Sequence, residues 1–453
     1  MTDQTLIILG ASGDLTARLL LPGLGALLAT GQVPGLSLIG AARDDWDDDH
    51  WRRRVAESFG DGVATDVAER ARYLPTDVTK ADDLRRVLGE ANGPVAIFFA
   101  LPPAITARAC DALLDVELPE GTRLVLEKPF GIDGDAAAAL NSVLARLAPE
   151  ERIHRVDHFL GKSTVLNILG LRFANRIFEP LLDAGHVASV DIVFDEKLAL
   201  EGRAGYYDHA GALADMIQSH LLQILALLAM EAPTTLEAGE FRDRKADVLR
   251  ATRLWSKDPA ACSRRARYTA GELDGRDLPA YADEPGVDES RGTETLAELV
   301  VTVDTWRWAG VPFRLRSGKA VGNSRKEAVI TFKHPPRIPD GLRGCDQPDR
   351  LRIGFGPDRL AVDFNINGPG DPFELDAVSL EAAFGPGDLP PYGEVLRGVF
   401  DNDPTLSVRG DTAEQCWRIV EPVVSAWRAG DVPLLEYPAG SDGPADSLLS
   451  ESP

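Results

Sequence analysis

TLIILG (5–10) runs directly into GASGDLTARLLLPGLGALLATG, and this join of apolar strand, glycine turn and helix limits the fold more than any other feature. A short buried strand that turns through glycine into a helix belongs to a sheet covered by helices. The pattern then repeats. LSLIGAAR (36–43), VAIFFALPP (95–103) and TRLVLEKPFG (122–131) are apolar runs of strand length, while DDLRRVLGE (82–90) and AAAALNSVLARLA (136–148) carry helical spacing. After RVDHFLGK (155–162) the texture changes to period-two segments, VASVDIVFDE (187–196), LAELVVTVDTWRW (296–308), AVITFKH (328–334) and LRIGF (351–355). One long helix stands out there, AGALADMIQSHLLQILALLAME (210–231), and the tail from Gly440 is expected to be weakly ordered. The expected fold class is therefore α/β followed by α+β. A parallel sheet with helices on both faces comes first, and a larger half with a mainly antiparallel sheet follows.

At 453 residues and 44% hydrophobic composition the chain can bury two cores. Its 71 acidic against 48 basic residues give a net charge of −23, which disfavours nucleic acid and anionic membranes as partners. A local basic cluster could still hold a small anion. Cys110, Cys262, Cys345 and Cys416 are few and far apart, which predicts neither a disulfide framework nor a zinc site. MTDQTLIILG has no basic region before its apolar run, and ILALLAM (224–230) is too short to span a bilayer. A cytoplasmic protein without a metal is expected.

Gly10, Ser12, Gly13 and Asp14 lie where the first strand opens into a helix. Glycines there let a pyrophosphate approach the free N–H groups of a helix start. The spacing falls short of the full GxGxxG, and an ordinary strand-to-helix turn uses such glycines too. Arg43 follows the second strand, where dinucleotide sheets read the adenosine ribose; arginine suits a 2′-phosphate, although a solvated arginine is equally at home there. Asp44, Asp45 and Asp47–Asp49 pull towards NAD, so the choice between NADP and NAD stays open at this point. His220 sits among Leu221, Leu222 and Ile224, as a merely buried histidine would. A carboxylate brought against it would fix its tautomer and make a base suited to neutral pH, and Asp157 beside His158 is a candidate. His158 and Lys162 share one face of a helical turn behind Arg155, a grouping that suits a phosphate or a surface ion-pair network.

The motifs together resemble the glucose-6-phosphate dehydrogenase family over nearly the whole chain. GASGDLTARLLLP resembles its cofactor loop, EKPFG (127–131) its gating segment, and RVDHFLGK its substrate signature, usually RIDHYLGK. LRFANRIFEP, EGRAGYYDHAGALADMIQSHLLQ, LRSGK (315–319) and YPAGSDGP follow in family order. The resemblance implies a Rossmann-like dinucleotide-binding domain over 1–156 and a substrate-binding and oligomerisation domain over 157–453. It implies His220 as the base for the sugar C1 hydroxyl, Asp157 as its paired carboxylate, and Lys128 between sugar and nicotinamide, next to a cis Pro129. His158, Lys162 and Lys319 are expected around the sugar phosphate, and Glu196 and Asp215 on sugar hydroxyls. Cofactor contacts are expected at Gly10, Ser12, Gly13, Asp14, Leu15, Arg43, Pro102 and Lys128. The expected cofactor is NADP, with NAD as the other choice, and the expected assembly is a homodimer or homotetramer formed through the sheet of the second domain.

Some positions depart from the family pattern. Phe159 replaces a tyrosine, and the lost hydroxyl would cost about 1–2 kcal/mol of phosphate binding if nothing replaced it. Ser219 replaces an asparagine, Leu19 and Leu21 a lysine and a tyrosine, and Asp442 a frequent aromatic. The activity expected is glucose-6-phosphate 1-dehydrogenase. The alternatives are a dehydrogenase for another sugar phosphate or free aldose using NAD, and a non-catalytic dinucleotide-binding regulatory protein.

Overall fold

A computed structural model describes residues 4–202, 204–344, 347–385, 387–444 and 448. The chain forms two compact units, one of Met1–Ser163, Pro233–Asp243 and Gly387–Trp417, the other of Thr164–Ala232, Arg244–Pro386 and Arg418–Pro453.

The first unit is built on six parallel strands, β1 (Gln4–Leu9), β2 (Leu36–Ala42), β3 (Arg72–Pro75), β4 (Val95–Phe99), β5 (Arg123–Glu127) and β6 (Ile153–Val156). Their spatial order is β6-β5-β4-β1-β2-β3. All of β4, and all of β1 after its first residue, is buried, because helices cover both faces; this is why these strands read as continuous apolar runs. Strand order reverses between β1 and β4, and ligands of such sheets bind in the crevice beyond the strand ends at that point.

The division differs from the one expected at residue 156. The first unit continues through the whole of RVDHFLGK and takes up two later segments. Ser407–Val408 adds an antiparallel strand to the edge of β6. Helix Pro391–Asp401 sends Tyr392, Val395, Leu396 and Val399 into the same core as Leu20, Leu24 and Trp51. Buried Arg123 donates to the carbonyl oxygens of Val399 (2.9 Å) and Phe400 (3.0 Å) near that helix's end. Periodicity predicts that a helix forms, but not which sheet it will cover.

The second unit contains an eleven-stranded sheet. Near its middle, β7 (Val187–Asp195) runs antiparallel to Lys326–Phe332 and parallel to Phe313–Gly318. Outward from there the pairings are antiparallel, apart from the short outer pairs of Arg343–Gly344 with Glu374–Ala383 and of Leu434–Pro438 with Ser263–Thr269. A single long helix is corrected: Ala238–Ala251 and Gly410–Ala429 are helical as well. The first is masked in the sequence by its charge and the second by an internal Pro422. The long helix itself begins at Ala204 and is interrupted at Gly211 (φ 67°, ψ 173°). By length and composition Ala204–Ala229 could cross a membrane, but 83% of its most apolar window is buried within the fold.

The expectation of a loose tail is also corrected for the residues up to 444. Gly440 N–H donates to Ala320 O (2.8 Å), Gly322 N–H to Ser441 O (3.0 Å), and Arg316 to Asp442 O (2.6 Å). Residues 445–447 and 449–453 lie outside the described residues, as does Cys345; Cys110, Cys262 and Cys416 are buried thiols.

Candidate active site

In the first unit β1 ends on Gly10, whose φ of +90° is open to glycine and strained for other residues. A Cβ there would lie 2.2 Å from Ala100 O. Gly13 N–H closes the turn on Gly10 O (3.0 Å), and Arg54 braces it from outside by donating to Ser12 O (3.2 Å) and Gly13 O (3.4 Å). Leu15 precedes a helix that starts with a π-helical segment, Thr16–Leu20, before the α-helix Leu21–Ala29. The loop thus has the tight, backbone-exposing shape that a pyrophosphate needs. Asp14 is tied outward to Arg18 (3.1 Å). Arg43 stands at the end of β2 and shares its guanidinium with Asp77 (3.1 Å). Hydrogen bonds from Thr79 and Arg43 hold the Asp77 carboxyl down at about 2, so the pair persists across the physiological range. Pro102 precedes helix Pro103–Leu113, and Lys128 is joined to Pro129 by a cis peptide bond, as the resemblance implies.

RVDHFLGK does not act as one basic cluster. Arg155 lies in β6, is 1% exposed, and is taken up by Glu150 (2.7 Å) and Asn141 (2.7 Å). Successive N–H groups of Leu160, Gly161 and Lys162 donate back to Asp157, His158 and Phe159, which winds 157–162 into tight turns. Asp157 is buried and accepts from Phe159 N–H (2.9 Å). The His158 ring stacks on Tyr392 at 6.0 Å and 13°. Phe159 is itself buried, and Lys162 Nζ lies 4.2 Å from its ring centroid. The ring that lacks the family's hydroxyl therefore still orients the lysine.

In the second unit β7 and Phe313–Gly318 pair in parallel with Asp195 opposite Gly318. The next residue on each strand is Glu196 and Lys319, so register alone brings these two together. Lys319 Nζ donates to Glu196 Oε2 at 2.7 Å and lies 5.0 Å from the Tyr207 ring. Asp215 accepts from the Tyr206 hydroxyl (3.1 Å), and Ser219 donates its hydroxyl to Asp215 O (2.6 Å). Asp442, in place of an aromatic, accepts Asn323 N–H (3.2 Å). His220 is 1% exposed and lies in a π-helical stretch, Leu213–Leu221. Residues five apart, such as Asp215 and His220, would be about 140° apart on an α-helix. The wider i→i+5 turns bring them closer to one face, and such bulges cluster at functional sites.

Glu127 and Tyr392 escaped the sequence reading. Tyr392 donates its hydroxyl to Glu127, whose carboxyl burial pushes up to about 7. Only its place before Lys128 in EKPFG could have drawn attention to Glu127, and Tyr392 carries no local signal at all. A carboxyl whose folded pKa is raised stabilises the fold when protonated and loses that contribution as pH rises through about 7. Glu127→Gln is therefore expected to match the native melting temperature near pH 5 and to exceed it increasingly towards pH 8. Parallel melting curves across that range would refute the assignment.

Residues 7–167 match the family profile described as glucose-6-phosphate dehydrogenase, NAD binding domain, and residues 169–451 match its C-terminal domain. A glucose-6-phosphate 1-dehydrogenase from Gluconobacter oxydans is 38% identical over 471 residues, which span 98% of this chain and 95% of the relative. The protein of that name from Rhizobium meliloti is 36% identical, with 98% and 94% covered. Among solved structures, a glucose-6-phosphate dehydrogenase in complex with its substrate glucose-6-phosphate superposes with a TM-score of 0.88 at 28% identity, over 98% of this chain and 96% of that one. The glucose-6-phosphate 1-dehydrogenase from Mycobacterium avium gives 0.84 at 33% identity, over 98% and 95%.

Proposed function

This chain belongs to the glucose-6-phosphate dehydrogenase family, and we propose that it oxidises the C1 hydroxyl of glucose 6-phosphate to 6-phosphoglucono-lactone by hydride transfer to NADP, with His220 as general base. Its coarser activity follows from that membership: it is a hydride-transfer oxidoreductase acting on a sugar phosphate with NAD(P). What carries the finer reading is agreement along the whole chain at 38% identity with a glucose-6-phosphate 1-dehydrogenase.

The first unit fits a dinucleotide, because Gly10 lets the chain turn tightly against Ala100 O, 2.2 Å from where a Cβ would lie, at the crevice beyond β1 and β4. Bound there, the cofactor supplies the acceptor for a hydride. The protein's part is proton removal and placement. His220 takes the proton of the C1 hydroxyl as the hydride leaves C1, and the C1–O bond becomes the lactone carbonyl. Asp157 is the carboxylate that fixes the imidazole tautomer. His158, Lys162 and Lys319 bind the 6-phosphate, and Glu196 and Asp215 bind sugar hydroxyls. Remote binding energy at the phosphate then helps to hold the reacting carbon in place. Lys128 lies between sugar and nicotinamide.

Arg43 is the proposed reader of the 2′-phosphate. Its hold is weakened because Asp77 already occupies part of the guanidinium at 3.1 Å. Arg43→Ala is expected to lower kcat/KM about tenfold with NADP and less than threefold with NAD. Equal losses with both would remove the assignment. The function is tested by initial rates at 340 nm with NADP and NAD crossed against glucose 6-phosphate, glucose and other hexose phosphates. Turnover confined to a different sugar would overturn the substrate and direct attention to Phe159. Cofactor binding without any turnover would favour a regulatory role. We also infer a homodimer or homotetramer joined through the second unit's sheet, where Arg325, Arg350 and Arg352 line a cavity with Asp191, Glu327 and Asp363. Light scattering that returned a monomer would refute it.

A further inference from the structure

Three consecutive residues, Thr293, Glu294 and Thr295, lie just before the strand Leu296–Val303 and outside every assigned role. Their hydrogen bonds reach two separate parts of the second unit. Thr293 donates its hydroxyl to Asp208 O (2.7 Å). The Thr295 hydroxyl meets Tyr437 Oη at 2.9 Å, and Tyr437 donates on to Lys319 O (2.6 Å). Lys319 N–H in turn donates to Thr295 O (2.9 Å).

Between them Glu294 holds the start of the helix that bears His220. Its backbone carbonyl accepts Ala212 N–H (3.2 Å), and its side-chain Oε1 accepts Leu213 N–H (2.9 Å). Leu213 is the first residue of the π-helical stretch. These are N–H groups that a helix start leaves without intrahelical partners, and a carboxylate is the favoured acceptor there. Gly211 makes the approach possible. Its φ of +67° breaks the preceding helix, and a Cβ at that position would lie 2.4 Å from Glu294 Oε1.

We propose that Glu294 is a positioning residue for catalysis, which by anchoring Leu213 keeps the following turns π-helical and so sets Asp215 and His220 at their working angle. Without the anchor the stretch is free to tighten towards α-helical winding. Five-residue spacing then swings Asp215 and His220 towards the 140° separation of an α-helix. The side chain is buried, which keeps water from replacing it. Burial also pushes its carboxyl up to about 7, while Arg265 and the N–H groups of Leu213 and Ala212 act against that rise. Tyr207 and Tyr281 also feel its charge.

The inference rests on His220 being the base, and the test separates the two. Glu294→Gln keeps an acceptor for Leu213 N–H and is expected to hold kcat within about threefold of the native enzyme. Glu294→Ala, and Glu294→Asp with its shorter reach, are expected to lose about tenfold or more in kcat and to raise the sugar KM severalfold through Asp215. Dinucleotide affinity, read by fluorescence titration, should not change, because the first unit is untouched. Thr293→Val on the same segment is the control for packing alone, with some loss of melting temperature and little loss of kcat. If Glu294→Asp is folded and turns over like the native enzyme, the proposal falls. It falls equally if Glu294→Ala and Thr293→Val lose kcat in step with melting temperature, or if Glu294→Gln is as impaired as Glu294→Ala. His220→Asn with native kcat would instead refute the base assignment on which this rests.

Discussion

His220→Ala is expected to lower kcat by about a hundredfold or more, while the sugar KM changes only severalfold. The imidazole is 1% exposed, so little bulk water reaches its position to act as a substitute base. Its loss should remove proton transfer from the transition state and leave the proposed phosphate contacts at Lys162 and Lys319 intact. Initial rates at saturating sugar decide it: a variant with near-native kcat would show that some other group takes the C1 proton.

Gly10→Ala should be the most damaging single change in the first unit. The new Cβ would lie 2.2 Å from Ala100 O and 3.0 Å from Leu101 Cδ2. Ala100 cannot readily give way, since its N–H is bonded to Leu9 O at 2.8 Å across the β1–β4 pair. A strained φ of +90° is added to the clash. Together they should cost about 2–4 kcal/mol of stability and weaken dinucleotide binding at least tenfold. Thermal unfolding and fluorescence titration measure the two effects separately. Native affinity in the variant would mean that the loop is not the phosphate cradle.

Local pattern was enough for the elements that local physics governs. β1, β2, β4 and β5 are apolar runs bounded by turn residues, and Gly10 marks the turn because only glycine takes its backbone angle without strain. Motif order along the chain was enough for the family, and with it for the reaction class. Tertiary structure decided what depends on distant partners. Glu196 and Lys319 meet at 2.7 Å because two strands far apart in sequence pair in register. Arg155 leaves the phosphate grouping because Glu150 and Asn141 hold its two terminal amino groups. Tyr392 reaches Glu127 and His158 only because helix Pro391–Asp401 returns to cover the first unit's core. A glycine at positive φ or a run of apolar residues expresses constraints set within a few residues, so it is visible in sequence. A buried charge takes whichever partner the packed chain brings within reach, and that is settled only when the whole fold closes.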